Sequence, residues 1–213
     1  MFELHDFGPS VASYRVRIAL NLKGISYEKV PVSLILNGGE HHAAEYRSLN
    51  PQGLLPTFSD NHVTLTQSLA IIEYLEETYP EPTILPGSPI LRAKARQIAH
   101  ITACDIQPLL GLRVLGYLRT TLQVSNARRA NWFLHWLMEG LDALELLLST
   151  SNNRGKYALS DEITLADICI VPQLYAARRF KLPLDDFPRL EEIEKACLQL
   201  PAFSEAEPQF TGP

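Results

Sequence analysis

Three short stretches in the first third of the chain carry residue types that could do chemistry: Ser10-Val11-Ala12-Ser13, Leu55-Pro56-Thr57 and Gln67-Ser68. The first lies where a strand signal over Phe2 to Asp6 and a Gly8-Pro9-Ser10 turn give way to an apolar-periodic stretch from Val11 to Lys23. Its serines therefore stand at the mouth of a helix, where free N–H groups and the helix dipole favour negative charge. A disulfide-exchange enzyme of this layout needs Cys-x-x-Cys at that turn, and serines hold both ends here. A serine nucleophile is also disfavoured, because neither a Gly-x-Ser-x-Gly elbow nor an evident base accompanies it. What such a serine can do is donate a hydrogen bond to a thiolate brought by another molecule, which together with the helix end favours the ionised sulfur. Capping the helix is the simpler role for Ser10, and a lone serine leaves the two open.

The other two stretches form a relay. A strand opening on Pro56 presents the preceding carbonyl and amide sideways to an extended peptide, and Gln67-Ser68 opens a second helix whose free N–H groups suit a carboxylate. Together with Ser10 they fit a small peptide thiol.

The elements that must position these residues alternate strand and helix over the first eighty positions, the pattern of an α/β unit. After the first helix and its Gly24 stop, Tyr27 to Val32 reads as a strand. Gly38-Gly39 opens a short polar helix through Arg47 that Asn50-Pro51 breaks, and Pro56 to Ser59 and His62 to Leu65 form a hairpin about Asp60-Asn61. Leu69, Ile72, Leu75 and Tyr79 then recur at helical spacing. Pro80, Pro82, Pro86 and Pro89 with Gly87 mark a boundary. We divide the chain into an α/β domain over 1–82, a linker over 83–88 and an all-helical domain over 89–213. The helical domain carries long stretches over 89–120, bent near Pro108 and Gly111, and 127–148, then shorter ones over 165–179 and 189–198. Thr164 with Asp167 three residues later predicts a capping box at a helix start, a folding device. The stripe of Trp132, Phe133, Trp136 and Leu137 is read as core packing.

With 213 residues, 46% of them hydrophobic, the chain can bury a substantial core. A net charge of −5 argues against a broad nucleic-acid surface, and no stretch of about 18 uninterrupted apolar residues suggests a membrane span. A cytoplasmic protein is expected, with no nucleic-acid or membrane partner. Cys104, Cys169 and Cys197 are too scattered for a disulfide framework or zinc cluster and are read as buried thiols; His41-His42 lack partners at ligand spacing, so no metal is expected.

Three segments carry a family resemblance: Ser10-Val11-Ala12-Ser13-Tyr14-Arg15-Val16-Arg17-Ile18-Ala19-Leu20, Asn50-Pro51-Gln52-Gly53-Leu54-Leu55-Pro56-Thr57, and Gln67-Ser68-Leu69-Ala70-Ile71-Ile72-Glu73-Tyr74-Leu75. Together they resemble the glutathione transferases, and the zeta class most closely. Later text agrees, in Asp105-Ile106-Gln107-Pro108-Leu109, Leu112-Arg113-Val114-Leu115 and Asp161 to Asp167. The resemblance spans nearly the whole chain. It implies a thioredoxin-like N-terminal domain, an all-α C-terminal domain, a homodimer, and glutathione as cofactor. Pro56 is implied to be cis, with the Leu55 backbone pairing the cysteinyl part of glutathione and Gln67 and Ser68 holding the γ-glutamyl carboxylate. Ser10, Ala12, Ser13, Tyr14, Arg15 and His41 are implied contacts from the same domain, and Asp105 and Gln107 from the helical domain or across the dimer. Ser10 is the implied thiolate donor, with Ser13 as the second choice. The chain departs from the family where it usually has Ser-Ser-Cys: Ala12 stands in place of the cysteine and Tyr14 fills the aromatic position.

The activity implied is glutathione-dependent cis–trans isomerisation of maleylacetoacetate or maleylpyruvate in aromatic catabolism. Conjugation or dehalogenation of broader scope, or glutathione binding with little turnover, are the alternatives. An acidic electrophile needs arginine forks, and among Arg15, Arg17, Arg113, Arg178 and Arg179 the resemblance favours Arg179, then Arg113, with Arg178 beside them.

Overall fold

The computed structural model describes residues 1–60, 62–151 and 155–208. These group into two compact units, one of Met1–Thr83 together with the segment from Leu198 onward, the other of Ile84–Cys197.

In the first unit, β1 (Glu3–Asp6), α1 (Val11–Leu22) and β2 (Glu28–Pro31) form a parallel crossover. Two tight turns, Leu36–Gly38 and Glu40–His42, then lead into α2 (Ala44–Leu49) where the sequence suggested one continuous helix. The hairpin β3 (Thr57–Ser59) and β4 (Thr64–Thr66) follows, then α3 (Ser68–Thr78). Asn61 of the expected hairpin turn lies outside the described residues. The sheet runs β2-β1-β3-β4, with β1 parallel to β2 and antiparallel to β3, which is the thioredoxin-like order. Leu4, Val16, Leu20, Phe58, Ile71, Ile72 and Leu75 are fully buried in this unit, each worth on the order of 2 kcal/mol relative to exposure. Lys23, wholly buried, closes the unit: its ammonium binds Glu76 at 2.5 Å and the Pro82 carbonyl at 2.8 Å.

The second unit is helical: α4 (Pro89–His100), a π-helical turn over Ile101–Ile106, α5 (Gln107–Leu110), α6 (Leu112–Thr120), α7 (Asn126–Ser149), α8 (Leu165–Arg179) and α9 (Pro188–Cys197). By length and mean hydropathy alone, Pro89–Thr120 could cross a bilayer. The extended backbone of Gly111 divides it, and Asp105 and Arg113 interrupt its apolar text. The bend expected near Pro108 and Gly111 is thus present. Central α8 is buried on nearly every side, and the inward stripe of α7 is Phe133, Leu137, Leu141, Leu144 and Leu148. Trp132 lies beside that stripe, its indole donating to the Leu109 carbonyl at 2.9 Å.

Two expectations are corrected. Residues 198–208 belong with the first unit rather than with a helical domain running to 213, because a short α10 (Pro201–Ser204) packs on α1. Cys104, carried on the π-helical turn, is exposed; Cys169 and Cys197 are buried as expected.

Candidate active site

The turn from β1 into α1 is closed by the Ser10 amide donating to the Phe7 carbonyl at 2.8 Å. Ser10 has extended backbone and is the N-cap of α1, its Oγ accepting the Ser13 amide at 3.2 Å. That contact uses an oxygen lone pair and leaves the hydroxyl proton available, so capping and donation to an external thiolate are compatible. Ser10 is half-buried, as is Ala12, which opens no thiol in the cysteine's place. Ser13 is wholly buried, so its hydroxyl has no surface to offer a ligand, and the second choice of donor is corrected on that ground. Tyr14 is wholly buried too, with its hydroxyl donating to the Phe203 carbonyl at 3.2 Å; it serves packing.

The peptide cradle lies in the same unit. The Leu55–Pro56 bond is cis. Leu55 anchors its side chain among Val32, Tyr46, Phe7 and Leu34, while among the described residues nothing hydrogen-bonds to its amide or carbonyl. A buried segment with both backbone groups idle is a cradle for another main chain. Its preceding loop is braced from below: the Leu54 carbonyl accepts from the Tyr46 hydroxyl at 2.6 Å and the Asn50 amide at 2.7 Å, and Thr57 meets Tyr46 at 2.8 Å. Gly53 has φ +59°, and a Cβ there would lie 3.0 Å from the His41 carbonyl, so the loop can press against the His41 backbone only with glycine.

Gln67 precedes α3 with φ 72°, an uncommon conformation for a residue with a side chain, and no side chain caps the helix it opens. Its amide group donates to Gln52 at 2.6 Å, tying the helix start to the loop before Pro56. Arg15, 1% exposed, donates from α1 to the buried Ser68 Oγ at 3.1 Å, so α1 and the uncapped end of α3 are joined by a cation. An uncapped helix start backed by a buried guanidinium is built for a carboxylate. The His41 ring lies tilted against His42, and burial first, then His42, holds its pKa below the usual histidine value.

Residues 4–83 match the glutathione S-transferase N-terminal domain. A maleylacetoacetate isomerase of Pseudomonas aeruginosa is 44% identical over 207 residues, spanning 97% of this chain and 95% of its own. Among solved structures, a bacterial maleylpyruvate isomerase described as a zeta-class glutathione transferase is 41% identical, with a TM-score of 0.94 over 99% of this chain and all of its own. The chain belongs to the zeta class of glutathione transferases. A maleylacetoacetate isomerase of Methylobacterium extorquens, solved with malonate and glutathione bound, superimposes with a TM-score of 0.95 at 35% identity, covering 99% of each chain.

In this zeta-class chain the remaining expected residues lie in the helical unit. Asp105 is exposed on the π-helical turn and Gln107, half-buried, opens α5. Arg113 is exposed in the first turn of α6 and Arg179 is exposed at the end of α8. Arg178 is corrected: its guanidinium is held by Glu194 at 2.5 Å and Glu191 at 3.2 Å, an ion pair that joins α8 to α9. Arg17 is likewise committed, its buried guanidinium pairing with Asp6. The Thr164 box forms as expected: Asp167, wholly buried, accepts the Thr164 amide at 2.8 Å and the Thr164 hydroxyl at 2.9 Å, and reaches the Ala158 amide at 2.8 Å. The bracing of the Leu54 carbonyl by Tyr46 and Asn50 is not legible in the sequence, where Asn50-Pro51 reads as a helix break and as part of the family-like segment.

Proposed function

We propose that this chain is a glutathione-dependent cis–trans isomerase of maleylacetoacetate, maleylpyruvate or a related maleyl keto acid. The observation that carries the reading is the half-exposed Ser10 hydroxyl, capping α1 with one lone pair and keeping its proton free, in the unit that also holds the idle Leu55 backbone. Bound glutathione supplies a thiol that, once ionised, can add reversibly to an activated double bond and free it to rotate. Ser10 and the α1 N-terminus favour that ionisation by a hydrogen bond and by the helix dipole. The Leu55 amide and carbonyl register the peptide as an added strand, and the start of α3, backed by Arg15, holds a carboxylate.

The substrate we assign is a small acidic electrophile, with Arg179 first and Arg113 second as the groups that meet its carboxylate. Alanine at either is expected to lower kcat/KM for a maleyl substrate by about tenfold to a hundredfold, the worth of a hydrogen bond to a charged group. Arg178→Ala serves as the control because Glu194 and Glu191 already occupy it. Unchanged kcat/KM in both Arg179→Ala and Arg113→Ala removes the assignment.

Homodimer assembly and a cytoplasmic setting belong to the same proposal. Exposed Ile90, Leu112, Tyr117 and Leu146 on the helical unit support a second copy, and three free cysteines support a reducing compartment. The deciding assay measures maleylpyruvate isomerisation with glutathione beside a haloacid and a chloronitroarene. Turnover concentrated on the maleyl substrate is expected; turnover confined to the other two would reassign the enzyme to conjugation or dehalogenation, and tight glutathione binding without turnover would make it a binding module.

A further inference from the structure

Ser10 owes its place to a turn that makes few local bonds, and the group that secures this turn lies one side chain away. Arg17, 2% exposed in the middle of α1, spreads its guanidinium over three parts of the first unit. Its Nη1 donates to both Asp6 carboxylate oxygens, at 2.7 and 2.9 Å, at the end of β1. Its Nη2 donates to the Gly8 carbonyl at 3.0 Å, inside the turn closed by Phe7 and Ser10. Its Nε donates to the Ala206 carbonyl at 2.9 Å, in the segment that follows α10. The guanidinium also lies 5.4 Å from the centre of the Tyr14 ring, whose hydroxyl holds the Phe203 carbonyl of that same segment.

A buried ion pair is a poor device for stability alone, because desolvating two charges offsets much of their attraction and an apolar pair of the same volume serves as well. Its advantage is geometric: a planar fork with fixed donor directions sets the relative positions of its acceptors. Here two of the three acceptor groups belong to the turn that ends in Ser10: Asp6 leads into it and Gly8 lies inside it. The third explains why residues 198–208 belong with the first unit.

We infer that Arg17 is the positioning residue of Ser10: one guanidinium, by pinning the Asp6 carboxylate and the Gly8 and Ala206 carbonyls, fixes the turn that presents the Ser10 hydroxyl to the bound thiol. Arg17 touches neither substrate nor cofactor and acts through the serine.

The inference rests on the reading of Ser10 as the hydroxyl that serves glutathione, so the experiment first titrates the thiolate absorbance of the glutathione complex in the unsubstituted enzyme and in Ser10→Ala. If the bound thiol is no more acidic than the free one, or is unaffected by Ser10→Ala, that reading falls and the inference with it. With both in order, Arg17→Met, long and apolar, is expected to raise the pKa of the bound thiol by about one unit, a tenfold loss of thiolate at limiting pH. The acid limb of kcat/KM should move with it, with little change in glutathione Kd. In the Ser10→Ala background the same substitution should add nothing, the non-additivity of two residues acting as one. Arg17→Lys keeps the charge beside Asp6 but cannot span Gly8 and Ala206 together, so an intermediate shift is expected; it decides the matter alone where Arg17→Met does not fold. A folded variant with the bound thiol unchanged, or a shift undiminished in the Ser10→Ala background, overturns the inference.

Discussion

Four described helices begin on a hydroxyl residue that caps them; Ser88 and Ser125 are exposed, and the two that are at least partly buried, Ser10 and Thr164, use it differently. Thr164 at the start of α8 is wholly buried and spends everything it has: its oxygen accepts the Ala166 amide at 3.3 Å, its proton goes to Asp167, and Asp167 returns to the Thr164 amide. Ser10 at the start of α1 accepts one amide, has no acid three residues on to take its proton, and is half-exposed. The same capping chemistry thus yields a closed circuit in the helical unit and an open one in the glutathione-binding unit. A closed circuit can only stabilise, whereas an open one has a donor left for a ligand.

Ser10→Ala is the change that should separate them most. Loss of a donor aimed at developing or stored anionic charge costs about a hundredfold to a thousandfold in turnover. The cap contribution of the same serine is only about 1 kcal/mol, so the variant should fold, bind glutathione and fail in chemistry. If Ser10→Ala retains turnover within a few fold while losing thermal stability, Ser10 is a second Thr164 and the contrast disappears.

The closed circuit should break in the opposite sense. Asp167→Asn would turn an acceptor into a donor facing the buried Thr164 amide or the Ala158 amide, and stability should fall by about 2–3 kcal/mol, read as a lower denaturation midpoint. Thr164→Ala should cost about 1–2 kcal/mol. In both, activity per folded molecule should equal that of the parent. Burial is also the leading influence on the Asp167 carboxyl, raising its pKa against the pull of the Ala158 and Thr164 hydrogen bonds. Its ionisation therefore disfavours the folded state: the contribution is fully present below the ordinary aspartate range and is lost as pH rises through the raised value.

How much of this was legible in the sequence follows from the range of the interactions. The Thr164 box and the Gln67-Ser68 helix start each rest on residues a few positions apart, so local chemistry predicts them, whereas the cis Leu55–Pro56 bond follows only from the family resemblance. The brace of Tyr46 and Asn50 on the Leu54 carbonyl is only slightly longer in range, yet nothing in a lone tyrosine announces which carbonyl it will meet. Contacts spanning 189 residues, Tyr14 to Phe203 and Arg17 to Ala206, leave no periodic signal at all, which is why the final segment was assigned to the wrong unit. Cys104 reads as buried only because all three cysteines are scattered single thiols, which says nothing about the side each faces, and Arg178 stays a candidate because two arginines in sequence look alike until Glu194 engages one.

The smallest expected effect is also the cleanest test of the two serines that bracket the first turn of α1. Ser13 is wholly buried and its Oγ has no partner among the described residues. Removing a buried hydroxyl that makes no hydrogen bond relieves a desolvation cost rather than losing an interaction. Its amide, the group that Ser10 does accept, is kept by alanine. Ser13→Ala should therefore leave kcat, KM and the pKa of the bound thiol where they were, with a melting temperature equal to or slightly above that of the parent. A loss of turnover in Ser13→Ala comparable to that in Ser10→Ala would mean that the turn opens when glutathione binds and that the two serines share the thiol, and burial in the free protein would no longer distinguish the donor from its neighbour.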